Sequence, residues 1–195
     1  MNRTIRLAAL AALLVAAGGC SQKDPAQQAI SAAEGALAAV YEDARKYVPE
    51  RYAEVKLQLD AARTAFNEER YADAIAAVRD VPARAEELAS AALAARQKLH
   101  EQLNADWTRL SGSLPKLVAG IEARLGELGS MRGLPAGMDK QLLDEANAAF
   151  DSVKNTWDEA GTSFAAGEIE VAVAKAGSAE TMAQDLMARL GLQAG

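Results

Sequence analysis

The chain has 195 residues, a formal net charge of −6 and one cysteine, and aromatic residues make up only 5% of it. An acidic surface disfavours nucleic acid and anionic headgroups, and a lone cysteine excludes an intrachain disulfide and any Cys-rich metal site. The length suffices for one ordinary domain, or for two small helical units that bury a core unaided.

At the start of the chain stand Arg3 and Arg6, an apolar run over residues 7 to 17, and then Gly18-Gly19-Cys20. Charge, hydrophobe and small residues in that order mark a secretory signal. The run is too short to span a bilayer, which takes about 20 apolar residues. The stretch Leu13-Leu14-Val15-Ala16-Ala17-Gly18-Gly19-Cys20 resembles the lipobox of bacterial lipoproteins. That resemblance implies a cut between Gly19 and Cys20, a diacylglycerol on the Cys20 thiol and an N-acyl chain on the new amino terminus. Each buried methylene contributes about 0.8 kcal/mol, so two or three chains hold a protein where one would not. Residues 1–19 are then a signal peptide, and residues 20–24 a lipidated terminus and short linker. Ser21 stands where enteric lipoproteins kept in the inner membrane often have Asp, so the resemblance points to the periplasmic leaflet of the outer membrane.

Apolar positions recur at steps of three and four from residue 30 almost to the end, and alanine is abundant, which predicts helix throughout. The first helix is expected to start at Asp24-Pro25, a capping carboxylate followed by a proline, with Ile30, Ala33, Leu37, Val40, Ala44 and Tyr47 on one face and Pro49 as its end. A second stripe, Tyr52, Val55, Leu59, Ala62 and Phe66, runs to the polar turn Asn67-Glu68-Glu69-Arg70. From Tyr71 the pattern continues in phase to Leu128, through Pro82 and Pro115. This predicts one long rod, roughly 80 to 90 Å if straight at 1.5 Å per residue. A bend is expected near Ser111-Gly112-Ser113-Leu114-Pro115, because an interior proline costs about 3 kcal/mol unless the helix kinks. The alternative is two helices meeting at that Ser-Gly-Ser. Met131-Arg132-Gly133-Leu134-Pro135-Ala136-Gly137 reads as a loop, and a last helical hairpin turns at Gly167.

An ungapped shift of 98 residues superposes the second helix and the start of the rod on that hairpin. It pairs Tyr52 with Phe150, Val55 with Val153, Leu59 with Trp157, Phe66 with Phe164, Tyr71 with Ile169 and Leu88 with Leu186. Lys56/Lys154, Asp60/Asp158, Ala62/Ala160, Thr64/Thr162 and Ala74/Ala172 are identical, so a duplicated hairpin is expected. Around each turn Ala62, Phe66, Tyr71, Ala74 and Ala160, Phe164, Ile169, Ala172 resemble the helix-turn-helix of tetratricopeptide repeats, in which small residues let paired helices approach closely. The global pattern is similar to tandem spectrin repeats. The expected fold is all-α, an antiparallel bundle of two related three-helix units, residues 25–102 and 103–195, sharing one long central helix. Lipobox and Ala-rich repeat together resemble small proteobacterial lipoproteins with a helical domain of unknown function, a family that implies no activity.

No catalytic set emerges. His100 is the only histidine, and the residue three before it is Gln97, so the Glu-x-x-His pairs of a di-iron bundle and any His-based triad are absent. The carboxylate pairs Glu68-Glu69, Glu86-Glu87, Asp144-Glu145 and Asp158-Glu159 point about 100° apart on a helix and do not converge on a substrate. Trp107 and Trp157 fall on the apolar stripes, where core anchors sit. Trp107, beside the expected bend, is also the candidate for an exposed partner patch. The expectation is a non-enzymatic, lipid-anchored periplasmic scaffold, spacer or interaction module, with no metal, no nucleic acid and no cofactor beyond its acyl chains. Its partners are the membrane and envelope proteins. The alternative is a carrier or sensor holding a small apolar ligand between helices. The terminus Gly191-Leu192-Gln193-Ala194-Gly195 lacks the lysine by which the major murein lipoprotein is attached.

Overall fold

The computed structural model describes residues 22–135 and 137–192. The lipobox, with Gly19 and Cys20, lies outside the described residues. Those residues form seven helices and no strand: α1 (Lys23–Ala39), α2 (Tyr41–Tyr47), α3 (Pro49–Asn67), α4 (Tyr71–Val78), α5 (Val81–Ser130), α6 (Lys140–Ala165) and α7 (Ile169–Arg189). The protein is an all-α helical bundle. It divides into two compact units between Lys98 and Leu99, a few residues before the boundary at 102/103 read from the repeat. Helix α5 belongs to both, residues 81–98 to the first unit and 99–130 to the second.

In the first unit, Ile30 and Leu37 of α1, Val55 and Leu59 of α3, Val78 of α4 and Val81 and Leu88 of α5 form one core with the fully buried Ala26, Ala33, Ala62 and Ala74. In the second, Ile121, Leu125 and Leu128 of α5 pack on Phe150 and Val153 of α6 and on Leu186 of α7. A second cluster there joins Leu110 and Leu114 to Ala160, Ala176 and Ala179. Alanines of zero exposure line both hairpins, and a methyl in place of a larger side chain lets helix axes come toward the short end of the 8–10 Å range.

Three local expectations are corrected. The first helix starts at Lys23, two residues before Pro25, the expected first helical residue, so Asp24 sits inside the first turn rather than capping it. It also stops at Val40, and Pro49 opens α3 at its first position instead of closing α1. A proline suits that place because its missing N–H is one of the four that a helix start leaves unbonded. The long helix begins at Val81, not Tyr71. Pro82 cannot donate to the Val78 carbonyl and its ring crowds that carbonyl, so α4 ends at Val78 and Pro82 falls in the first turn of α5. At the equivalent position of the other copy stands Glu180, and α7 runs unbroken from Ile169 to Arg189. Pro115, by contrast, lies within an α5 that is a single helix to Ser130, so the two-helix alternative does not hold.

The two turns match bond for bond. Arg70 N donates to Ala65 O at 2.8 Å and Glu168 N to Ser163 O at 2.9 Å, while Glu69 N and Gly167 N each donate to the carbonyl of the paired phenylalanine at 3.0 Å. Thr64 and Thr162 each return their hydroxyl to an aspartate carbonyl, Asp60 and Asp158, at 3.0 Å. Both turns need one residue in the left-handed region, Gly167 at φ 82° and Glu69 at φ 59°. Glycine takes that conformation freely and glutamate does not.

Glu69→Gly is therefore expected to stabilise the protein by about 0.5–1 kcal/mol and Gly167→Ala to destabilise it by about 1 kcal/mol, read as opposite shifts of the urea midpoint at unchanged m-value. Pro115→Ala restores a donor to the Ser111 carbonyl at an exposed helix position. It is expected to stabilise by about 1–3 kcal/mol in the same measurement.

Candidate functional site

Trp157 and Phe164 are seven residues apart on α6, two helical turns, which separates them by about 10.5 Å along the axis. Trp107, from α5, fills that gap. Its ring stacks on Phe164 with centroids 4.3 Å apart and planes at 7°, and on Trp157 at 5.6 Å and 27°. The sandwich closes the end of the Leu110, Leu114, Ala160, Ala176 and Ala179 cluster, and Val173 of α7 packs beside it. Trp107 and Trp157 are half-buried, while Phe164 is 41% exposed. Trp107 is thus at once an anchor of the helix pair and the inner member of an aromatic surface. In the first unit the corresponding Phe66 is half-buried and meets Tyr71 edge-on at 5.3 Å, and a buried Leu59 replaces Trp157.

Next to the sandwich on α5, Arg109 donates through Nη1 to both oxygens of Glu180, at 2.8 and 3.0 Å, and Ser113 Oγ donates to Oε1 at 3.1 Å. The Glu180 side chain is only 16% exposed. The carboxylate, by its hydrogen bond first and its charge second, holds the Arg109 guanidinium above its ordinary value. This pins α7 to α5 at the position where the other copy has Pro82. The repeat paired Phe164 with Phe66 but periodicity did not single out Glu180, although the Leu59-to-Trp157 and Pro82-to-Glu180 differences between copies mark the place.

The first unit carries a groove of about 410 Å³ between α1, α2 and α3. Leu37 and Leu59 form its floor. Tyr41 and Tyr52, edge-to-face at 5.7 Å, form one wall. Over it Arg63 donates through Nε and Nη2 to Glu34 Oε1 at 2.9 and 2.7 Å, and through Nη1 to Asp60 Oδ1 at 3.1 Å. Lys56 Nζ completes the set on Asp60 Oδ2 at 2.6 Å. The Lys56 hydrogen bond is the main reason the Asp60 carboxyl lies below its usual value. Any stability the network adds is therefore complete above the ordinary carboxylate range and fades as pH falls through the lowered value. No sequence motif announced this set, because Glu34 and Arg63 lie 29 residues apart and meet only through helix packing.

His100 is exposed and shares a 3.0 Å hydrogen bond with the side-chain amide of Asn104. All eight members of the four carboxylate pairs are exposed. Among the described residues no three His, Cys, Asp or Glu side chains are grouped to hold a metal ion, and no helix is long and apolar enough to cross a membrane. The chain matches no protein-family model, no curated protein and no solved structure.

Trp107→Ala opens the space between Trp157 and Phe164 and is expected to destabilise the second unit by about 3 kcal/mol, with Trp107→Phe costing less than half as much. Denaturation followed by Trp157 fluorescence measures both. Acrylamide is expected to quench Trp107, in a Trp157→Phe background, at an efficiency between those of free and fully buried indole.

Proposed function

We propose that this is a lipid-anchored cell-envelope protein, a non-enzymatic helical scaffold, spacer or interaction module held at the periplasmic face of the outer membrane. The observation that carries the reading is in the sequence: an apolar run behind two arginines ends in small residues and the single cysteine, Cys20. Two features of the described chain agree with it. Helix α1 begins at Lys23, so only a short tether would separate acyl chains on Cys20 from the bundle. The helix interfaces are closed by alanine and the side chains that carry chemistry are paired on the surface, an arrangement suited to presenting a shape. The partner surface we favour is the Trp107, Trp157 and Phe164 sandwich, because aromatic rings that are half-buried and preorganised lose little freedom on docking.

A second reading, a carrier for a small apolar ligand, has one observation in its favour. A recess of about 270 Å³ lies between the start of α6 and the end of α7, lined by Met138, Leu142, Ala146 and Leu190 with Glu145 and Arg189 at its edge. That volume falls just below the range of about 300–1,000 Å³ usual for ligand pockets.

The anchor is tested by Cys20→Ala. In detergent-phase partitioning the wild-type protein is expected in the detergent phase and the variant in the aqueous phase, with metabolic labelling by a fatty acid lost in parallel. A variant that stayed in the detergent phase with its label intact would sink the proposal.

A further inference from the structure

We propose that the groove of the first unit, bounded by Tyr41, Tyr52, Lys56, Arg63 and Glu34, is a binding site for an uncharged sugar ring. Three observations converge on this class of ligand. First, the groove's volume of about 410 Å³ is within the size range of small-ligand sites, and it combines an apolar floor with an aromatic wall. A sugar ring offers the matching pair of surfaces, an apolar C–H face and a rim of hydroxyls. Second, the charges over the floor cancel: Lys56 and Arg63 stand against Glu34 and Asp60. A charged ligand would have to break an existing pair to gain a partner, whereas a hydroxyl can bond to both members without separating them.

Third, the pairing preorganises donors and acceptors. Arg63 is gripped at Nε, Nη1 and Nη2, yet each terminal nitrogen has another hydrogen, and Glu34 accepts both of its bonds on Oε1, leaving Oε2 to accept from a ligand. Lys56 uses one of its three hydrogens on Asp60. The Tyr41 hydroxyl accepts from Arg45 Nη1 at 2.6 Å, so its own proton is available to donate. A planar guanidinium and a planar carboxylate held side by side present the alternating donor and acceptor spacing that neighbouring hydroxyls require. The duplicated copy shows what this site is not needed for. There Gly161 replaces Arg63 and a buried Phe150 replaces Tyr52, and the second unit builds its core without the network.

The experiment is saturation-transfer NMR of the full chain titrated with two neutral probes, maltotriose and tri-N-acetylchitotriose, up to about 10 mM. At least one is expected to bind saturably, and its ring protons are expected to take saturation from tyrosine. Arg63→Gln and Glu34→Gln, surface changes that preserve size and leave helical content as a check on folding, are each expected to weaken binding about tenfold. Asp144→Asn, at an exposed position of the second unit, is expected to leave it unchanged. Glucuronate and glucosamine, charged versions of the same ring, are expected to bind more weakly than glucose and N-acetylglucosamine, the neutral rings of their size. The proposal is overturned if neither trisaccharide binds, if binding survives both groove substitutions, if it is lost with Asp144→Asn, or if a charged sugar binds more tightly than the neutral ring of its size.

Discussion

Two helices approach closely only where the facing side chains are small, and this protein depends on that contact. Ala62 and Ala74 across the first turn, and Ala160 and Ala172 across the second, have no exposed surface. A larger residue at any of them would push the paired helices apart by about the height of a side chain, and the larger apolar residues on either side would lose their partners. The close approach also explains where the polar networks lie: the interfaces are filled by alanine and larger apolar side chains, and the networks form along the outer edges of the helix pairs.

The two copies keep this contact and differ in what surrounds it. Turn geometry, threonine back-bonds and buried alanines are shared. Pro82 divides α4 from α5 in one copy, and Glu180 lets α7 continue and join Arg109 and Ser113 in the other. Leu59 is a buried core residue where Trp157 is a half-exposed stacking partner. Arg63 spans to Glu34 where Gly161 spans to nothing of the kind. A duplicated scaffold whose interior is shared between copies can change each surface separately, as Leu59 against Trp157 and Arg63 against Gly161 show.

Fold class was legible because helix periodicity and alanine content are local signals repeated along the whole chain. The turn at Gly167 was legible for the same reason, as was the duplication. The breaks at Val40 and Val78 were not, because the apolar phase runs across both, and at Val78 only the backbone hydrogen-bond consequence of Pro82 interrupts it. At Pro115 the same reasoning expected one bent rod, with two separate helices as the alternative, and α5 is a single helix there, with Leu110 and Leu114 of that segment packed against alanines of α6 and α7. Packing on both sides of a proline can hold a helix together where an isolated helix would part.

The sequence by itself determined that the chain is helical and that it contains two related hairpins, since both follow from spacing along the backbone. Tertiary structure alone decided that Trp107 slides between Trp157 and Phe164, that Glu180 clasps Arg109 and Ser113, and that Arg63 reaches Glu34 over Leu37 and Leu59. Those groups come from different helices, and their distances are set by how far the alanines let the helices approach and at what rotation, quantities that no single stretch of sequence contains.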